Sequence, residues 1–109
     1  MIQANELRIG NKIFNSDGNV CEVNPYMIGM LTMNSGSAYP ILLTEKILKN
    51  SGAKRFGDGE SLELNGRLIG FAVCRSTFYD KSTHVDLKFV HQLQNLYFAL
   101  TGEELEIKI

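Results

Sequence analysis

Tryptophan is absent, and the 109 residues hold only two cysteines, two prolines and two histidines. Cys21 and Cys74 show no CxxC spacing, which excludes a zinc ribbon or a disulfide framework and leaves both expected as small buried hydrophobic residues. His84 and His91 fall on either side of an expected strand-to-helix boundary near Asp80 and Asp86, but no HxH, HExxH or His/Cys quartet accompanies them. No metal site is expected. No excess of either charge exists, since 11 Lys plus Arg stand against 12 Asp plus Glu for a formal charge of -1. The basic field that draws phosphate is therefore missing, and Lys54, Arg55, Arg67 and Arg75 are the candidates for a local patch, against solvated surface charges.

No apolar run approaches the ~18 residues of a membrane span, and Met1 to Glu6 carries neither the basic nor the apolar part of a secretory signal. The expected setting is cytoplasmic, with no membrane partner. Catalytic signatures are equally thin. Gly57-Asp58-Gly59 is too short for a phosphate loop and has no lysine in register, and neither cysteine sits in a nucleophile motif. Carboxylate pairs could be drawn at will among twelve acids, so they carry no information. The expectation is a non-enzyme with no cofactor.

What is present describes a folded chain: 44% hydrophobic and 21% charged residues suit one globular domain over 1–109. Leu7 to Phe14 alternates, breaks at Gly10-Asn11 and leads through Asn15-Ser16-Asp17-Gly18, a hairpin turn, into Val20 to Val23. Asn24-Pro25 closes that strand, and Tyr26 to Met33 is a further β candidate before Asn34-Ser35-Gly36-Ser37. This makes 1–43 β-rich. Thr44 is a good N-cap for a short helix over 44–51 that Gly52 would end.

Residues 53–75 form a hairpin region around Asn65-Gly66, the strongest turn signal in the chain. A two-residue loop there sets Leu64 opposite Arg67, Leu62 opposite Ile69 and Glu60 opposite Phe71, with small residues such as Gly70 and Ala72 on the other face. A long helix follows over 87–101, with Asp86 or Thr83 as its N-cap and Gly102 as its stop. The alternating tail 103–109 reads as a terminal strand. The order predicts an α+β fold, an N-terminal antiparallel meander with the long helix packed on the sheet.

On the long helix Phe89, Val90, Leu93, Leu96, Tyr97 and Leu100 make an ordinary core stripe, and Gln92 and Asn95 are expected in solvent. His91, Gln94 and Phe98 lie on the remaining side, where a phenylalanine is unexpected. Either the helix lies between two layers, with Phe98 buried under the N-terminal β unit and Gln94 bonded to backbone, or these three residues contact a protein partner or a ligand.

Two stretches carry a resemblance. "NELRIGN" at Asn5 to Asn11 and "VHQLQNLYFALTGEEL" at Val90 to Leu105, with the Pro40 to Leu48 helix entry and the following "GAKRF", resemble a family of small proteins of gut Bacteroidetes and their phages or mobile elements. That resemblance implies no activity, ligand or catalytic residue. Leu7 to Val23 also looks like the first strands of SH3-like barrels, which bind peptides or nucleic acids, although a fold does not fix a function. The expected function is binding or accessory, through a protein partner or self-association at His91, Gln94 and Phe98. The alternative is a nucleic-acid module with Tyr26 and Tyr39 stacking on bases and Lys54 and Arg55 on phosphates.

Overall fold

Asn15 organises the first hairpin: its side-chain oxygen accepts from the backbone N–H groups of Asp17 and Asn19 at 2.9 and 3.0 Å. Gly18 supplies the positive φ of +80°. The turn joins β1 (Lys12–Phe14) to an antiparallel β2 (Val20–Glu22), with Ile13 opposite Cys21. The computed structural model describes Ile2 and residues 4–33, 38–56 and 61–109, without the side chains of Ala4 and Phe56. The expected turn at Asn34 to Ser37, the Gly57-Asp58-Gly59 stretch and Glu60 lie outside the described residues.

The fold is α+β, and the chain forms two compact units, Met1–Leu42 with Phe89–Leu105, and Leu43–Lys88 with Glu106–Ile109. The first unit interrupts itself to admit the second. The chain leaves and re-enters it side by side: Leu42 bridges Phe89, and Val90 donates its N–H to Ile41 at 2.8 Å. The ends of the second unit are joined in the same way, Leu43 donating to the Lys88 carbonyl at 2.9 Å.

In the first unit the expected strand at Tyr26 to Met33 is a helix, α1 (Pro25–Thr32). Asn24 caps it by accepting the Met27 N–H at 2.8 Å, and Pro25 occupies the first helical position, where its fixed φ and missing donor cost nothing. These start signals outweigh the β preference of tyrosine and isoleucine. Ile2, Leu7, Ile13, Val23, Leu31 and Ala38 form a core against which Cys21, Met27 and Ile28 pack. The long helix, α3 (Val90–Thr101), starts three residues later than expected, because Asp86–Leu87 is a strand instead. Its N-cap is Phe89, whose backbone N–H is accepted by the Gln92 side chain at 3.0 Å, so Gln92 is a capping residue. Gly102, at φ +75°, stops the helix by donating to the Phe98 carbonyl at 2.8 Å.

The second unit is a five-stranded antiparallel meander in chain order: β3 (Lys54–Phe56), β4 (Ser61–Leu64), β5 (Arg67–Ala72), β6 (Thr77–Asp80) and β7 (Asp86–Leu87). Asn65 and Gly66 both take positive φ, and the register pairs Leu64 with Arg67 and Leu62 with Ile69, as the two-residue loop demands. Leu62, Leu64, Ile69 and Leu87 share the buried face. On the other face the small residue at Gly70 is explained by its cross-strand partner: a Cβ there would meet the Tyr79 ring at 2.8 Å. Asp80 is buried at the β6–β7 corner, where its Oδ2 accepts from the Thr83 N–H and hydroxyl and from Arg67.

α2 (Glu45–Asn50) begins at Thr44, which accepts the Ile47 N–H at 3.2 Å, and buries Ile47 and Leu48. The terminal segment is extended with Leu105 and Ile107 buried, but it joins no ladder; Lys108 donates its N–H to the Ser51 hydroxyl instead. Cys21 is half-buried, whereas Cys74, expected inside, is exposed, because Val73–Arg75 form a short 3-10 turn at the β5–β6 bend.

Candidate functional site

The two terminal motifs meet. Arg8, Ile9, Gly10 and Asn11 form a tight turn, closed by the Asn11 N–H on the Arg8 carbonyl at 3.1 Å and by the Arg8 N–H on the Asn11 side-chain oxygen at 2.7 Å. Gly10, at φ +96°, takes the third position, where an L side chain would be strained. β1 leaves this turn with one edge paired to β2. Its other edge is bridged at Phe14 by Tyr39 and continues to Lys12, where no strand among the described residues lies beside it.

α3 covers that place with a side chain. Gln94 is 2% exposed; its Oε1 accepts the Lys12 N–H at 2.8 Å and its amide nitrogen donates to the Gly10 carbonyl at 3.4 Å. A carboxamide bonded to the carbonyl of one residue and the N–H of the next but one occupies the position of a single residue in a parallel strand. This answers why an uncharged amide is buried in the helix: it stands in for a third strand at the edge of β1.

Asn95 completes the clasp and is not the solvent-facing residue its helical position suggests. It donates to the Glu6 carbonyl at 2.9 Å and accepts from the Asn11 side-chain amide at 2.9 Å and from Arg8 at 3.3 Å. Asn11 itself is fully buried. Arg8 also pairs with Glu104, and its guanidinium lies 4.1 Å from the centroid of the Phe98 ring, a cation–π distance. Phe98 is 39% exposed, roofed by Arg8, and Ile9 beside Arg8 is 57% exposed. The sequence alone does not single out Arg8, Asn11, Asn95 and Glu104 as site residues. Their signal lies in the two terminal motifs, whose polar residues are partners of each other.

His91 and Gln94, expected at a contact surface, are each 2% exposed and thus unavailable for direct contact with a partner in this conformation. The reason is the clasp: the helix side that carries them faces the N-terminal turn and β1. The His91 ring stacks on Phe89 with centroids 5.9 Å apart, and its Nδ1 is buried without a hydrogen-bond partner. Burial pushes its pKa below the ordinary histidine value, against an opposing pull from Glu6.

The nucleic-acid candidates do not form one group within a unit. Tyr26, 73% exposed, and Tyr39 belong to the first unit, and Lys54 and Arg55, both exposed, to the second. Of the other basic candidates, Arg67 is bound to Asp80 and Arg75 to Asp86. Among the described residues no three or more His, Cys, Asp or Glu side chains gather where a metal ion could be held, and no helix is long and apolar enough to cross a membrane. Comparison with protein families, with curated proteins and with solved structures found no match.

Proposed function

We propose that this chain is a non-catalytic binding protein whose contact surface is the roofed edge of α3, Phe98 with Arg8 and Ile9, and that it first associates with itself there. One observation carries the reading: a large aromatic residue is left 39% exposed although its own chain places an arginine over it. Aromatic and arginine side chains are the residues enriched in protein contacts. Arg8 is held in place by Asn95 and Glu104, so little side-chain freedom remains to be lost on association. Gln94 supports this surface from behind by fixing the turn that presents it.

Light scattering across a wide concentration range tests the proposal. The wild-type mass should rise above the 12.2 kDa of one chain, and Phe98→Asp should stay there with an unchanged circular dichroism spectrum. A wild-type protein that remains at single-chain mass at millimolar concentration removes self-association at this edge.

A further inference from the structure

His91 is the second residue of α3 and the only described side chain with a buried nitrogen or oxygen that lacks a hydrogen-bond partner. Three features of the place oppose a charged imidazolium. The ring is 2% exposed, its Nδ1 has no acceptor, and it sits at the helix N-terminus, where the aligned peptide dipoles present positive charge.

The charged groups on the neighbouring elements do little to offset this. Glu6, in the 3-10 turn Ala4–Glu6, favours the proton, but burial outweighs it. Arg8 is engaged with Glu104, and Lys12 of β1 with Glu22 of β2. Gln94, which holds Lys12 and Gly10, is one helical turn further along the same face.

We propose that His91 is a proton-operated release for the clasp: taking up a proton detaches the start of α3 from the N-terminal turn and opens the first unit in mild acid. The sign follows from proton counting. The opened state binds the proton at the ordinary histidine value and the closed state only at lower pH, so the closed state holds its full stability above that value and loses it as pH falls. Opening takes up one proton, so the opening equilibrium rises tenfold per pH unit within the window. Opening would loosen the turn that carries Arg8, and with it the surface at Phe98, but exchange at the Lys12 amide reads the opening whether or not the chain self-associates.

Native-state hydrogen exchange, corrected for the intrinsic pH dependence of exchange, reads this directly. The Lys12 amide, bonded to Gln94, should lose protection about tenfold per unit as pH falls below 6.5, while the Ile69 amide in the second unit keeps its protection. In His91→Phe the Lys12 slope should vanish, and His91→Gln, neutral and polar, should flatten it likewise. The imidazole C2–H of wild-type His91, followed by NMR, should titrate below 6.5. A flat Lys12 profile, a slope that persists in either variant, or a His91 titration at or above 6.5 would overturn the proposal; the wild-type measurements decide it even if neither variant folds.

Discussion

Replacing Gln94 by leucine isolates the stand-in strand. The side chain is 2% exposed and leucine is of similar volume, so no cavity opens and the helix propensity barely changes. What is lost is the acceptor 2.8 Å from the Lys12 N–H, together with the longer 3.4 Å bond to Gly10. A buried donor left without a partner costs about 1–3 kcal/mol. The added apolar burial returns up to about 1 kcal/mol. A net loss of about 1–2 kcal/mol is expected, which in a chain of this size lowers the melting temperature by about 4–10 °C.

Thermal melts give the total, and exchange of the Lys12 amide gives the location, with a rate expected to be about five- to thirtyfold faster, the equivalent of that same loss. The same change at Gln92, whose side chain caps the start of the helix at Phe89, should leave Lys12 protected. If Gln94→Leu melts with the wild type and keeps the Lys12 amide protected, the carboxamide does not complete the ladder.

Asn95→Ala strands the amide of the fully buried Asn11 and should cost about 2 kcal/mol in chemical denaturation. Asn95→Asp restores the acceptor but not the donor to Glu6, and should recover only part of that. Gly70→Ala must displace the Tyr79 ring, which lies 2.8 Å from the new Cβ and stacks on His84 at 6.4 Å. Because alanine also restricts the unfolded chain, stability should change by less than about 1 kcal/mol, while the His84 proton shifts move as the ring current leaves. At Asp80 burial raises the pKa, but the Thr83 hydroxyl and N–H and then Arg67 pull harder and hold it below the ordinary carboxylate value. The β6–β7 corner should therefore keep its full stability above that value and lose it as pH falls through the lower folded one. Exchange of the His84 amide, which donates to the Asp80 carbonyl, should accelerate there in the wild type and show no such step in Asp80→Asn.

Elements specified by local backbone geometry were legible in the sequence. Asn65-Gly66 dictates its own loop and, through it, the register of Leu62 on Ile69; Thr44 and Gly52 bracket α2, and Gly102 ends α3. Two other stretches carry competing local signals. Asn24-Pro25 can close a strand or open a helix, and the Asn24 cap together with the burial of Leu31 in one core with Ile13 and Val23 decides for the helix. Asp86 looked like a cap but lies in β7, because pairing of Phe78 with Leu87 claims that segment first. The candidate site was half legible. Helical periodicity singled out Gln94 and Phe98, but not their partners, since Arg8 and Asn95 are 87 residues apart in the chain and periodicity sees only one element.

The paired ends of the second unit bear on how the chain folds. Lys12 and Gln94 are 82 residues apart, and closing a flexible loop of that length costs about 4 kcal/mol of chain entropy before the clasp returns anything. Once Leu43 and Lys88 are hydrogen-bonded, the segment between them no longer counts as slack, and the remaining loop is less than half as long. That saves about 0.6 kcal/mol for each halving, so a folded second unit speeds closure of the first by roughly threefold. The order of events then follows from connectivity: the inserted meander, built from neighbouring hairpins, forms from local contacts, and the discontinuous unit closes after it.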